Sequence, residues 1–511
     1  MASQRWARAF ALCAVVWPAS GRDVSITEYG AVPFKATTKH ALANGVALWA
    51  TLGNASRGDV VVVPAGSEWY MVPHAPLYGL DGVSLRIDGA LVGYDDPDIW
   101  PHGPSTYTAM VAVYDSVDLK IFGAGAVDGQ GLAWWWRFSL AQLDYKRPML
   151  LQLENCTRVE VSGLALLDSP RFNVYLGSYT RTAVVRGVTI LTDWEAQAAL
   201  HTQARMRNLP MFPFNTDGID LAGSDVLIED CVISNWDDVI AVKPSAAALG
   251  CTNSVRVRNL TVYRGVGISV GSVHAAADQP CVRDVVFSDI QLFSPLKGIY
   301  IKPDLGRDAC DVEDAPACSA VIADVTYENI TMTQGTSPHG WDDTEANARQ
   351  RADPSGARAK TKTAARRTLD AAVAAAAAAE TAESQRLGGG GAYECSPLDY
   401  FCMMWPVYIG PQQQLEPDGS GSGIWARTEP RVTVANITLR NVTAQGGVWP
   451  MSAGVLRCNA SNPCTNVSFV DVDLRADVFT TGSKWICDDE IAAFGSANGH
   501  MQPDVSKCLS T

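Results

Sequence analysis

The chain has 511 residues, of which 47% are hydrophobic and 18% charged, with a formal net charge of -14 and a pI near 5.0. That balance suits a large globular core and excludes a disordered chain. It argues against nucleic acid as the main partner, which needs a basic surface, while a locally basic cleft can still take an acidic sugar polymer.

Taken in chain order, residues 1–21 read as a secretory signal. Arg5 and Arg8 precede the apolar run Phe10 to Trp17, and Pro18-Ala19-Ser20-Gly21 offers small residues for cleavage. The run is too short to span a bilayer, and no later stretch reads as a membrane helix. The expectation is therefore a secreted, extracellular protein, with residues 22–511 as a single domain. Beyond Cys13 twelve cysteines remain, an even number that suggests disulfides in a secreted chain. Close spacing nominates Cys310/Cys318, Cys458/Cys464, Cys395/Cys402 and Cys487/Cys508. Eight Asn-x-Ser/Thr sequons occur, at Asn54, Asn155, Asn259, Asn329, Asn436, Asn441, Asn459 and Asn466. Some glycosylation follows if the chain is secreted. The plainer reading is a turn asparagine before a β-branched strand start.

The first elements are a strand at Val24-Ser25-Ile26, an Ala/Leu-rich helix over about 38–52, and a strand within Asp59 to Gly66. Short alternating strands then recur, each broken by a polar bend: Val159 to Leu166, Val184 to Ile190, Val226 to Ile233, Val255 to Val262, Val285 to Ile290, Val321 to Thr331, Val432 to Leu439 and Val467 to Leu474. Many short strands also suit a sandwich, but here each bend joins two very short strands at less than hairpin intervals. Stacked coils fit better. The predicted fold is all-β: a solenoid, the parallel β-helix, with a short N-terminal cap helix. At about 336–392 the pattern breaks. The run Ala371 to Ala379 and the four glycines from Gly388 read as an inserted, partly helical low-complexity loop.

Three carboxylates stand out: Asp217 in a Thr-Asp-Gly bend, and the consecutive Asp237 and Asp238. Neighbours on a regular strand point to opposite faces, so Asp237 and Asp238 share a cleft only at a bend or strand end. Crowded like charges raise one pKa and yield a proton donor beside a base, the requirement of glycoside hydrolysis. Acidic residues also punctuate ordinary turns, as at Asp342-Asp343 and Asp488-Asp489.

The stretches Asn215-Thr216-Asp217-Gly218-Ile219-Asp220, Val226 to Ser234 and Asp237-Asp238-Val239-Ile240-Ala241-Val242-Lys243 resemble the signature of the polygalacturonases, the family 28 glycoside hydrolases. Asp128-Gly129-Gln130-Gly131 with Trp134-Trp135, Trp405 to Ile409, and Pro463 to Leu474 resemble further family segments. The likeness runs from about residue 24 to 490, outside the insertion. It implies a right-handed parallel β-helix and inverting hydrolysis of α-1,4-galacturonosyl bonds in pectic polysaccharide. It also implies no cofactor and no metal, a monomer, Asp237 as general acid, and Asp217 with Asp238 activating water. Asn215 would orient the site.

Two departures follow from the same comparison. Val266 stands where the family has His, and Tyr300 where it has Arg; Lys302 is retained and could bind a sugar carboxylate. Trp236 replaces a small residue and could stack on sugar or pack, and His274 could reach the site but reads more readily as a coil-surface residue. Trp134, Trp135 and Trp136 are candidates for a sugar platform or for core packing. The candidate substrate-binding set is thus Asn215, Lys302, Tyr300 and Trp236. The alternatives are a hydrolase of rhamnogalacturonan or another acidic glycan, and a non-catalytic β-helix that binds wall polysaccharide. A lyase is disfavoured, because Lys302 alone is thin support for its base.

Overall fold

The computed structural model describes residues 21–193, 213–304, 318–333, 405–411, 430–445, 454–459, 461–474, 485–487 and 501–502. Residues 1–20 of the expected signal and the whole 336–392 insertion lie outside these. No helix among the described residues is long and apolar enough to cross a membrane.

The helix Thr38–Gly53 begins where predicted, with the Thr37 side chain accepting from the His40 N–H as cap. Its buried face includes Ala41, Ala47, Leu48 and Leu52. Gly45 is required there: a Cβ would lie 1.8 Å from the Val72 carbonyl oxygen. Asn44 ties the same helix to the first coils by donating to the Val32 and Tyr70 carbonyls. The helix thus covers the open end of the stack, where strand edges would otherwise invite pairing.

The strands form a right-handed parallel β-helix with three faces. One face stacks Val60–Val63, Ser84–Ile87, Val117–Phe122, Thr157–Ser162 and onward to Val432–Gln445. A second stacks Glu68–Met71, Ala90–Gly93, Ala126–Asp128, Ala165–Leu167, Thr189–Leu191 and Val232–Asn235. The third stacks Val111–Tyr114, Leu151–Glu154, Ile219–Glu229, Asp238–Val242, Gly267–His274, Lys297–Asp304 and Trp405–Ile409, with the start of Val174–Arg186 between the second and third of these. Every pairing named is parallel. Period-two alternation sends Ile219, Ile240, Ile268, Ile299 and Val407 inward, where all are fully buried. The intervening residues of the third face point outward.

Corners on either side of the first face need a left-handed residue, and Asn tolerates that conformation best after Gly. Asn155, Asn259, Asn329, Asn436, Asn441 and Asn466 have φ between 49° and 57°. Each amide donates to the coil before it: Asn155 to Asp115, Asn259 to Asp230, Asn329 to Asp289, Asn436 to Asp324, Asn441 to Asn329 and Asn466 to Asn436. Six of the eight sequons are therefore rungs of two corner ladders.

Cys458 and Cys464 form the disulfide that their spacing suggested. Cys251–Cys281 was not foreseen, because the two meet across adjacent coils, 30 residues apart in sequence. Cys318 is also disulfide-bonded. Cys156 and Cys231 are free, buried thiols. Burial pushes them up to about 11 and about 12.

Candidate active site

The third face carries the three carboxylates. Asp217 precedes Ile219–Glu229 by two residues, and Asp238 opens the next strand, so Asp237 sits at the bend before it. This is the strand-end position that lets consecutive residues share one cleft. Their nearest oxygens all lie within 4.8 Å of one another, and all three residues are buried. That is tighter than the roughly 6.5–9.5 Å between acid and base that inverting hydrolysis generally shows. A cation could also be held at such a spacing. The neighbouring lysines, however, already answer part of the negative charge.

Backbone clamps fix the cluster. Asn173 Nδ2 donates to the Asp217 carbonyl, and Asn235 Nδ2 donates to the carbonyls of Thr216, Asp237 and Asp238. Asp237 accepts the Asn215 N–H at Oδ2 and the Asp238 N–H at Oδ1, both at 2.8 Å. Asn215 has φ 55°, which turns its N–H inward, and its side-chain oxygen accepts from Arg147 at 2.8 Å. Arg147 is buried, also donates to the Pro170 carbonyl, and stacks 3.9 Å from the Phe138 ring centroid. Exchanging it for lysine removes the fork that reaches both acceptors. Arg147→Lys should lower unfolding stability by about 1.5–3 kcal/mol in urea titrations.

The electrostatics split the carboxylates. Burial, then Asp220, Asp237 and Asp238, raises Asp217 well above the usual carboxylate range. Burial alone would also raise Asp238, but Lys302, Lys243 and the Ser269 hydroxyl outweigh it and hold Asp238 below that range. Lys302 pairs directly with Asp238 Oδ2, and Ser269 donates to Oδ1 at 2.6 Å. Asp220 is fully buried, raised chiefly by that burial, and forms an ion pair with Lys243 at 3.4 Å. One member thus favours its proton and another its charge.

The structure separates the expected binding residues by role. Lys302 is engaged by Asp238 and buried, so it meets the carboxylate cluster itself and not an open sugar subsite. Tyr300 is 2% exposed and packs edge-on to Tyr408. Trp236 is 5% exposed; its Nε1 donates to the Thr192 carbonyl and Arg264 covers its ring at 4.9 Å. Packing therefore accounts for Trp236, and stacking on sugar would need it to open. Val266 is buried and joins the site through its backbone, donating to the Asp237 carbonyl. Trp134 and Trp135 do not form an exposed platform: both are fully buried in the helix Leu132–Ser139, and Trp136 is half-buried. Asn173, Asn235, Asp220, Lys243, Ser269 and Arg147 had not been singled out. Their roles depend on stacking, although Asp220 and Lys243 lie inside the quoted motifs.

Residues 102–345 match the family described as Glycosyl hydrolases family 28. The matched region contains all three clustered carboxylates. Among curated relatives, a probable polygalacturonase of Vitis vinifera is 29% identical over 272 residues, 49% of this chain and 50% of its own. A probable endo-xylogalacturonan hydrolase A of Aspergillus oryzae is 31% identical over 249 residues, 48% and 55% respectively. The chain thus spans about half the length of the curated relatives it matches. The endo-xylogalacturonan hydrolase of Aspergillus tubingensis superposes with a TM-score of 0.55 at 18% identity, covering 90% of this chain and 95% of the other. The polygalacturonase of Erwinia carotovora ssp. carotovora gives 0.55 at 18%, covering 95% and 97%. These two support the fold.

Proposed function

We propose that this chain is a secreted, monomeric hydrolase that cleaves α-1,4-galacturonosyl bonds of pectic polysaccharide with inversion. The observation that carries the reading is the convergence of three buried carboxylates whose environments push Asp217 up and Asp238 down. The family 28 match and relatives named polygalacturonase and endo-xylogalacturonan hydrolase support the pectic substrate class. Asp237, fixed by two backbone N–H groups, protonates the leaving oxygen. Asp217 and Asp238 hold the attacking water and take its proton, and Lys302 keeps Asp238 charged for that task. With two carboxylates sharing the water, the cluster can be tighter than a single acid facing a single base. The buried lysines temper the field of the three acids and so let an anionic polymer approach.

The test is incubation with polygalacturonate, xylogalacturonan and rhamnogalacturonan. New reducing ends without absorbance from unsaturated products are expected. Asp237→Asn should lose about 10²–10⁴-fold in kcat. Proton NMR of the first product should show the anomer opposite to the substrate's. Binding without any product would overturn the hydrolase reading, and a retained anomer would overturn the assigned roles.

A further inference from the structure

Lys297 is fully buried, and among the described residues its ammonium has no hydrogen-bond partner. Such a group is rare in an interior, because burial strongly disfavours an unpaired charge. Aromatic faces surround it instead. Lys297 Nζ lies 4.8 Å from the ring centroid of Tyr300, 5.7 Å from Tyr408 and 5.9 Å from Trp405. All three rings are buried. Ring quadrupoles attract a cation most strongly where water is excluded.

The cage is joined to the carboxylates by backbone and by one shared ring. Lys297 opens its strand as Asp238 opens its own, and the Lys297 N–H donates to the Val266 carbonyl. Gly267 pairs with Asp238 in register, and a Cβ on Gly267 would lie 1.8 Å from the Lys297 carbonyl oxygen. Only that glycine separates the two residues along the stack. The shared ring is Tyr300: Lys302 Nζ lies 4.9 Å from the same centroid and is the ammonium paired with Asp238.

We propose that Lys297 is a positioning residue of this site: its caged ammonium fixes the Tyr300 ring, and that ring in turn holds Lys302 on Asp238. The chain of contacts runs Lys297, Tyr300, Lys302, Asp238. It assigns Tyr300 a task that needs a ring face and no guanidinium. Burial, reinforced by Lys302 and opposed by Asp238 and Asp237, brings Lys297 down to about 7, so its charge is sensitive to the same groups it helps arrange. The kinetic part of the proposal rests on reading the cleft as hydrolytic; the structural part does not.

Lys297→Met keeps the length of the side chain and places sulfur among the rings, a favourable contact. The variant should melt no lower than the parent, because an unpaired buried charge is gone. Its crystal structure should have Tyr300 in a different rotamer and Lys302 withdrawn from Asp238. On polygalacturonate kcat/KM should fall about tenfold, and the acidic limb of its pH profile should move up as Asp238 loses its partner and Asp217, which sets that limb, loses a nearby cation. Tyr300 and Lys302 unmoved, with the parent's pH profile, would overturn the proposal. If the parent hydrolyses no pectic substrate, the hydrolase reading fails, and the crystal structure still decides the role of Lys297. If Lys297→Met does not fold, Tyr300→Leu removes the ring and leaves the cation. Lys302 remaining on Asp238 in that variant would overturn the proposal equally.

Discussion

At pH 7, Asp217→Asn should unfold at a higher temperature than the parent while losing about 10²–10⁴-fold in turnover. The gain in stability comes from the state the fold prefers for this group. Burial and three neighbouring carboxylates raise Asp217 in the folded chain. The unfolded chain holds it near the ordinary value, about 3.9. A raised folded value favours folding below the unfolded value, and that advantage is lost as pH rises through the folded one. Asparagine has the same shape and no charge, so it removes the loss. The difference in melting temperature should therefore shrink on acidification and vanish below about pH 4. Calorimetry across pH measures it. A lower melting temperature for Asp217→Asn at pH 7 would contradict the assignment. In the parent, a base must be ionised to act. The acidic limb of kcat/KM should accordingly lie above the usual carboxylate range, and it would be the alkaline limb if Asp217 supplied the proton instead.

Lys302→Met should be the most damaging single change to the described site. It leaves Asp238, 1% exposed, without its main partner; Lys243 remains 4.0 Å from the same oxygen. Removing one member of a buried pair costs about 3–5 kcal/mol, because the remaining charge is uncompensated. Asp238 is held low in the parent, so it contributes stability above its unfolded value, and that contribution disappears as pH falls through the lower folded value. The variant should lose this resistance and unfold at higher pH on acid titration. Lys302→Met with Asp238→Asn should recover much of the stability, since neither position then holds an unpaired buried charge. A double variant no more stable than Lys302→Met alone would place the cost elsewhere, in packing against Tyr300.

The coil architecture was legible because period-two alternation and bend asparagines are local signals. Val226 to Ile233 announces two strands and a corner on its own. The carboxylates were legible as a motif, and the need for a strand end at Asp237-Asp238 followed from side-chain alternation. What stacks on what was not legible. Ser269 meets Asp238 from 31 residues away and Lys302 from 64, distances fixed by coil length and by loops between coils. Cys251–Cys281 escaped notice for the same reason. In sequence Trp135 stays open between a sugar platform and core packing, because an aromatic near a cleft suits either; its Nε1 donates to the Ser169 carbonyl deep in the fold. The asparagines in sequons carried two meanings at once, and only the turn conformation and the ladder partners separate them.

The free thiols of Cys156 and Cys231 offer a way to watch the stack come apart. Cys156 and Cys231 lie at corners of different coils, both buried and both with little thiolate at neutral pH. A thiol reagent can reach either only through an opening event, so each cysteine reports the opening rate of its own coil. Equal labelling rates would mean that this part of the solenoid opens as one cooperative block. Unequal rates would mean that coils peel away in sequence, as expected of a structure whose repeats touch only their neighbours.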